Sequence, residues 1–139
     1  MAEAYSVICG RDRIDLAYVH DYLSTKTYWA QGRSLETVRL SIDNSLCFGV
    51  FSPEGRQVGF ARVVTDRATF AWLCDVFIDE AHRGKGLGKT LVATIVAHPE
   101  LRGLRRFILA TRDAHDLYRN YGGFESLANP ERWMQQNPG

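Results

Sequence analysis

The sequence predicts an α/β fold with a mixed sheet, in the element order βααβββαβαβ, carrying a central antiparallel meander and one parallel strand pair. Two observations carry this expectation. Three β-prone runs, Leu46 to Phe51, Gln57 to Val64 and Thr69 to Ile78, follow one another across the tight turns Ser52-Pro-Glu-Gly55 and Thr65-Asp-Arg67, which is the pattern of a meander. After them come an amphipathic helix and a further apolar run. A strand–helix–strand passage of that kind implies a crossover and a parallel pair.

Each element has its own local cause. Tyr5 to Cys9 is a short β-prone run. Asp12 precedes Ile14, Leu16, Ala17, Val19, His20 and Leu23, a helical spacing with Asp12 as the expected N-terminal cap. Ser24 to Arg33 reads as a polar and aromatic loop, and Ser34 with Glu36 and Thr37 opens a second helix from Leu35 to about Ile42. Leu87, Leu91, Val92, Ile95 and Val96 line one face of a third helix that Pro99 ends. Leu104 to Ala110 is an apolar strand. Ala114, Leu117, Tyr118 and Tyr121 mark a short helix stopped by Gly122-Gly123, and Phe124 to Leu127 is expected as a final strand.

Composition sets limits on function. The length of 139 residues suits a single domain, 1–139, and a hydrophobic content of 45% with 24% charged residues is that of a globular protein. Seventeen Lys and Arg against 16 Asp and Glu give no basic excess, which argues against a nucleic-acid partner. Cys9, Cys47 and Cys74 are odd in number and sit in apolar stretches. They read as buried free thiols of a reducing, cytoplasmic compartment. The four histidines make no zinc pattern with them, so no metal is expected. No apolar stretch approaches the roughly 20 residues that cross a bilayer, so no membrane role is expected either.

The chemistry concentrates in residues 83–90, Arg-Gly-Lys-Gly-Leu-Gly-Lys-Thr, between a strand and an amphipathic helix. A helix start offers unpaired N–H groups and the positive end of the dipole, and glycines let that backbone approach an anion closely. Arg83, Lys85 and Lys89 add positive charge. Two nucleotide loops fail on spacing. A P-loop ending in Gly88-Lys89-Thr90 needs Gly where Arg83 stands, and a dinucleotide fingerprint starting at Gly84 and Gly86 needs Gly where Lys89 stands.

The segment resembles the acetyl-coenzyme A signature of the GNAT superfamily of N-acetyltransferases, Gln/Arg-x-x-Gly-x-Gly/Ala, at Arg83, Gly86 and Gly88. The strand before it, Asp75-Val-Phe-Ile-Asp79, looks like the family's pantetheine-binding strand. Downstream, Ala114, Leu117-Tyr118 and Gly123-Phe124 match a second family pattern, and the element order agrees across nearly the whole chain. The chain departs from the family in having four residues, Arg119 to Gly122, between Tyr and Gly-Phe where three are usual. It also has Thr111 where Asn is common.

The resemblance implies acetyl-CoA as co-substrate, held by Val76, Phe77, Ile78, Thr111 and the loop residues Arg83, Gly84, Lys85, Gly86, Leu87, Gly88, Lys89 and Thr90. It implies transfer of the acetyl group to a primary amine of a small or amino-acid-like acceptor in a ternary complex. Tyr118 would protonate the leaving thiolate, and a backbone N–H near Phe77 or Ile78 would hold the oxyanion. Asp75, which interrupts an apolar strand, and His115, three residues before Tyr118, are the candidate bases. Tyr28, Trp29, Phe70 and Trp72 are candidate walls of the acceptor site. Two other readings remain: a protein or peptide N-acetyltransferase, and a non-catalytic coenzyme A-binding sensor. The apolar residues Phe124, Leu127 and Trp133 near an expected edge strand suggest a homodimer.

Overall fold

The computed structural model describes residues 4–138. Five strands form one sheet in the order β1-β2-β3-β4-β5, with β1 Ser6–Cys9, β2 Leu46–Phe51, β3 Gln57–Thr65, β4 Phe70–Ile78 and β5 Arg106–Leu109. The first four pair antiparallel, and β4 and β5 pair parallel. Parallel neighbours need a crossover. It is supplied by α3, Leu87–Val96.

Helices cover both faces. On one side, α1 (Leu16–Lys26) and α2 (Leu35–Asp43) bury Val19, Tyr22, Leu23, Val38 and Ile42 against Phe60 and Phe77. On the other, α3 and α4 (His115–Gly122) pack Leu87, Leu91, Val92, Ile95 and Tyr118 against Phe48, Val50, Val63 and Leu73. Each such apolar side chain contributes about 1.5–3 kcal/mol when fully buried, so the sheet is clamped by two independent cores.

Two expectations fail. The cap of α1 is Asp15, whose carboxylate accepts the N–H of Tyr18 at 3.1 Å, and not Asp12. Asp12 lies in a short 3-10 turn, Arg11–Arg13, which precedes the buried Ile14. The final strand Phe124 to Leu127 does not form. Gly123 turns the chain at φ 72°, the Phe124 N–H bonds back to Tyr118 O at 3.2 Å, and the Phe124 ring packs edge-on against Phe107 and Tyr118. An alternating Phe-Glu-Ser-Leu run here serves as a plug beside α4 and not as a ladder. The thiols are free; Cys47 is buried, whereas Cys9 and Cys74 are half-buried.

Gly122 is the last residue of α4. A Cβ built on Gly122 would lie 2.8 Å from the Phe124 ring and 2.9 Å from a Val92 methyl. Gly-to-Ala in a helix ordinarily gains about 0.5–1 kcal/mol. Here overpacking opposes it, and Gly122→Ala is expected to lose about 1–2 kcal/mol net in urea unfolding. A stabilised variant would show that Phe124 moves aside freely.

Candidate active site

A break in β4 builds the site. Asp75 has φ 55°, and the β3–β4 register shifts between Phe60 and Arg62. The extra residue resets the alternation of the strand. Ala71 and Leu73 point to the α3 core, and past the bulge so do Val76 and Ile78, while Phe77 turns to the α1–α2 core. Asp75 itself faces the loop between α1 and α2.

There it is fully engaged. Trp29 Nε1 donates to Asp75 Oδ1 at 2.9 Å, and Arg33 Nη1 and Arg62 Nε donate to Oδ2 at 2.8 and 3.0 Å. Arg62 also donates to Ser45 Oγ at 3.2 Å. The Asp75 side chain is 2% exposed, so its charge is compensated by guanidinium groups and not by water.

The same region opens a cleft. Parallel pairing of β4 with β5 ends at Leu73 and Leu109, although β4 continues for five more residues, Cys74 to Ile78. The Asp79 N–H bonds Val58 O on β3, so strand alternation directs the N–H groups of Ile78 and Val76 toward the unpaired edge. A cavity of about 540 Å³ lies here, lined by Val76, Thr111 and Tyr118 together with Tyr28, Trp29 and Trp72. Open α/β sheets bind ligands beyond the carboxyl ends of their strands, where this cleft lies.

Tyr118 is 8% exposed and reaches the cleft. Burial, and then the neighbouring Tyr28, push its hydroxyl up to about 12, so it stays protonated through the physiological range. Tyr28 ties two loops together: its hydroxyl accepts the Arg112 N–H at 3.2 Å, and the Arg112 guanidinium lies 3.9 Å over its ring. Thr111 accepts the Ala114 N–H at 3.1 Å in the turn just ahead of α4.

The glycine loop lies past the end of β4. Gly86 caps α3 in the left-handed region, φ 77°, with no side-chain cap. The first amide inside the helix to find an acceptor is that of Thr90, on Gly86 O at 3.1 Å, which leaves the N–H groups of Leu87, Gly88 and Lys89 for an anion. Gly84 and Lys85 are exposed beside them, and Lys89 Nζ sits 5.1 Å over the Tyr121 ring. Arg83 folds back instead, donating to Ile78 O at 3.0 Å and to the Tyr22 hydroxyl at 3.1 Å.

The structure thus gathers Tyr118, Asp75, Val76, Thr111, Tyr28, Trp29 and Trp72 around one cleft. Outside its lining lie Phe77, which is buried in the α1–α2 core, Ile78 and the loop residues Arg83 to Thr90 at the end of β4, and two residues expected in catalysis and acceptor binding. His115 is exposed at the start of α4 and faces a second groove beside β5, and Phe70, at the start of β4, lines neither. Sequence reasoning missed Arg33 and Arg62. Arg62 was detectable as a charge inside a strand buried at seven successive positions, and two opposite charges in neighbouring apolar strands invite pairing.

The model of the Acetyltransferase (GNAT) family matches residues 16–124. A solved structure from Xanthomonas campestris pv. campestris, of a protein assigned to the same family, superposes with a TM-score of 0.91. It is 47% identical, and the match covers 96% of this chain and 92% of that one. A Gibberella zeae protein carrying an acetyltransferase name is 27% identical over 84% of this chain and 79% of its own length. A Glycine max protein named histone acetyltransferase is 36% identical over 55% of this chain, a match spanning only 32% of that protein. Among the described residues no helix is long and apolar enough to cross a membrane, and no group of three His, Cys, Asp or Glu side chains could hold a metal ion.

Proposed function

Because the chain belongs to the GNAT family of acetyltransferases, we propose that it transfers the acetyl group of acetyl-CoA to a primary amine of a small molecule, by direct attack in a ternary complex. The observation that carries this reading is the splay between β4 and β5. It opens into a cleft that Val76 lines, and a helix start without a side-chain cap, at Gly86, lies about ten residues further along the chain.

The residues fit the co-substrate. Free amides of Leu87, Gly88 and Lys89, with Lys85 and Lys89 beside them, suit a pyrophosphate. The unpaired edge at Val76 and Ile78 suits an extended amide arm, which can add to a strand edge by hydrogen bonds. When bound, acetyl-CoA supplies a thioester carbonyl that an amine can attack with loss of a thiolate.

This chain then has three tasks. The N–H of Val76 or Ile78 stabilises negative charge on the carbonyl oxygen. Tyr118, kept protonated by its burial, donates a proton to the departing sulfur. Tyr28, Trp29 and Trp72 enclose the acceptor and exclude water. Asp75 is spoken for by three donors, so its part is to position Trp29, Arg33 and Arg62, and proton removal from the amine falls to solvent.

The test pairs ligand binding with turnover. Acetyl-CoA is expected to raise the melting temperature by mass action, and ATP to do so much less. Thiol release from acetyl-CoA should depend on added amine. Gly86→Val must force a branched side chain into a left-handed backbone and is expected to abolish coenzyme A binding. Gly103→Val imposes the same strain at φ 74° in a remote loop and serves as the control. Tighter binding of ATP, or equal coenzyme A affinity in the two variants, overturns the assignment.

A further inference from the structure

Granting the acetyl transfer proposed above, we infer that the acceptor is an amine carrying a carboxylate, and that Arg33 and Arg62 receive that carboxylate. The inference rests on the charge left over in the cleft. Its charged lining is three arginines, Arg33, Arg62 and Arg112, against two aspartates, Asp75 and Asp113. Arg112 and Asp113 are both well exposed at the rim and lie 3.7 Å apart, where water screens them. The interior is left with two guanidiniums and one carboxylate, whose side chains are 23%, 11% and 2% exposed.

Donor geometry points the same way. A guanidinium has five N–H donors. Arg33 gives one nitrogen to Asp75, and Arg62 gives one to Asp75 and one to Ser45. No buried side-chain nitrogen among the described residues lacks a partner, so the remaining donors of both arginines are open to solvent, and both residues line the cleft. Asp75 holds the pair side by side on one oxygen. Two guanidiniums with free N–H groups and one uncompensated positive charge, in a recess walled by Trp29 and Trp72, make a socket for a planar anion.

The same charges turn away other amines. A cationic acceptor finds no open carboxylate in the interior, since both Asp75 oxygens are occupied and buried and Asp113 stands at the exposed rim beside Arg112. Polyamines and lysine-rich peptides therefore meet net repulsion. A primary amine with its own carboxylate places that group on the arginines and its nitrogen toward Tyr118 and Val76.

The experiment compares matched acceptors on the wild type: a set of amino acids, their carboxamides, and spermidine as a polycation, with kcat/KM read from thiol release. Coenzyme A binding by calorimetry runs alongside. Charge-assisted hydrogen bonds of this kind correspond to roughly a tenfold to hundredfold preference for the acid over its amide. The amide holds more free amine near neutral pH, so such a preference runs against intrinsic reactivity. Arg33→Gln is expected to bring acid and amide within threefold of each other by raising KM for the acid. Arg33→Lys, which keeps the charge but loses the fork, should retain part of the preference. Equal turnover of acid and amide by the wild type, faster turnover of spermidine, or an Arg33→Gln variant that slows acid and amide alike overturns the inference and leaves acetyl transfer standing. Absence of coenzyme A binding and of amine-dependent thiol release strikes the acetyl-transfer reading instead.

Discussion

Tyr118→Phe is expected to lower turnover by about 10²–10⁴-fold while coenzyme A binds as before. The substitution keeps the ring that packs against Phe124 at the end of α4 and removes only the hydroxyl. If that hydroxyl gave nothing but a hydrogen bond to the fold, its loss would cost about 1 kcal/mol of stability and leave the rate alone. The pH profile separates the two cases further. A hydroxyl whose value is raised from 10.0 to about 12 remains a donor well past the point where an ordinary tyrosine has ionised. An alkaline loss of activity below pH 10 therefore has another source than Tyr118. Single-turnover kinetics on a confirmed amine make the comparison; a variant within threefold of wild type removes Tyr118 from the proton transfer.

Asp75→Ala should be among the most destabilising single changes available outside the apolar cores. It leaves the guanidiniums of Arg33 and Arg62 facing each other without their shared carboxylate, and it frees the Trp29 indole N–H. Breaking a buried ion pair from one side typically costs about 3–5 kcal/mol. In a chain of this size that corresponds to roughly 10–20 °C in Tm. Thermal and urea unfolding of Asp75→Ala and Asp75→Asn check it, with the isosteric amide expected to lose less. A loss under about 1 kcal/mol in both would mean that water reaches the cluster. A general base would give a different signature, with activity gone and stability intact.

Much of this architecture is written locally. The meander follows from β-prone runs punctuated by Pro-Glu-Gly and Thr-Asp-Arg turns, and β2 falls at Leu46–Phe51 as its pattern demands. Ser34 caps α2 through the Thr37 N–H, the bond its position predicts. The glycine loop and the helix it starts were equally legible, because a left-handed Gly86 before an amphipathic run is a local signal. What escaped is non-local. Arg33 and Arg62 acquire meaning only when a loop and two strands meet at Asp75, 42 and 13 residues away in sequence. Phe124 to Leu127 alternates as a strand should, yet its partner is decided by tertiary packing, and the Phe107 and Tyr118 rings claim Phe124 first. Asp12 lost the cap of α1 to Asp15 because Arg11 is held by Asp43 and Ile14 must reach the core before the helix can begin.

The bulge at Asp75 sets which core each residue of the second half of β4 enters. Ahead of it, odd-numbered residues such as Ala71 and Leu73 feed the α3 core; behind it, even-numbered Val76 and Ile78 do. Deleting Asp75 would restore an unbroken ladder with the downstream faces unchanged, whereas flattening the bulge with every residue kept would invert everything downstream. Phe77, stacked 4.1 Å from Tyr22, would be turned out of its core, and two aliphatic neighbours would be turned out of theirs. The one residue that β4 carries in excess of β3 thus decides which core receives Phe77.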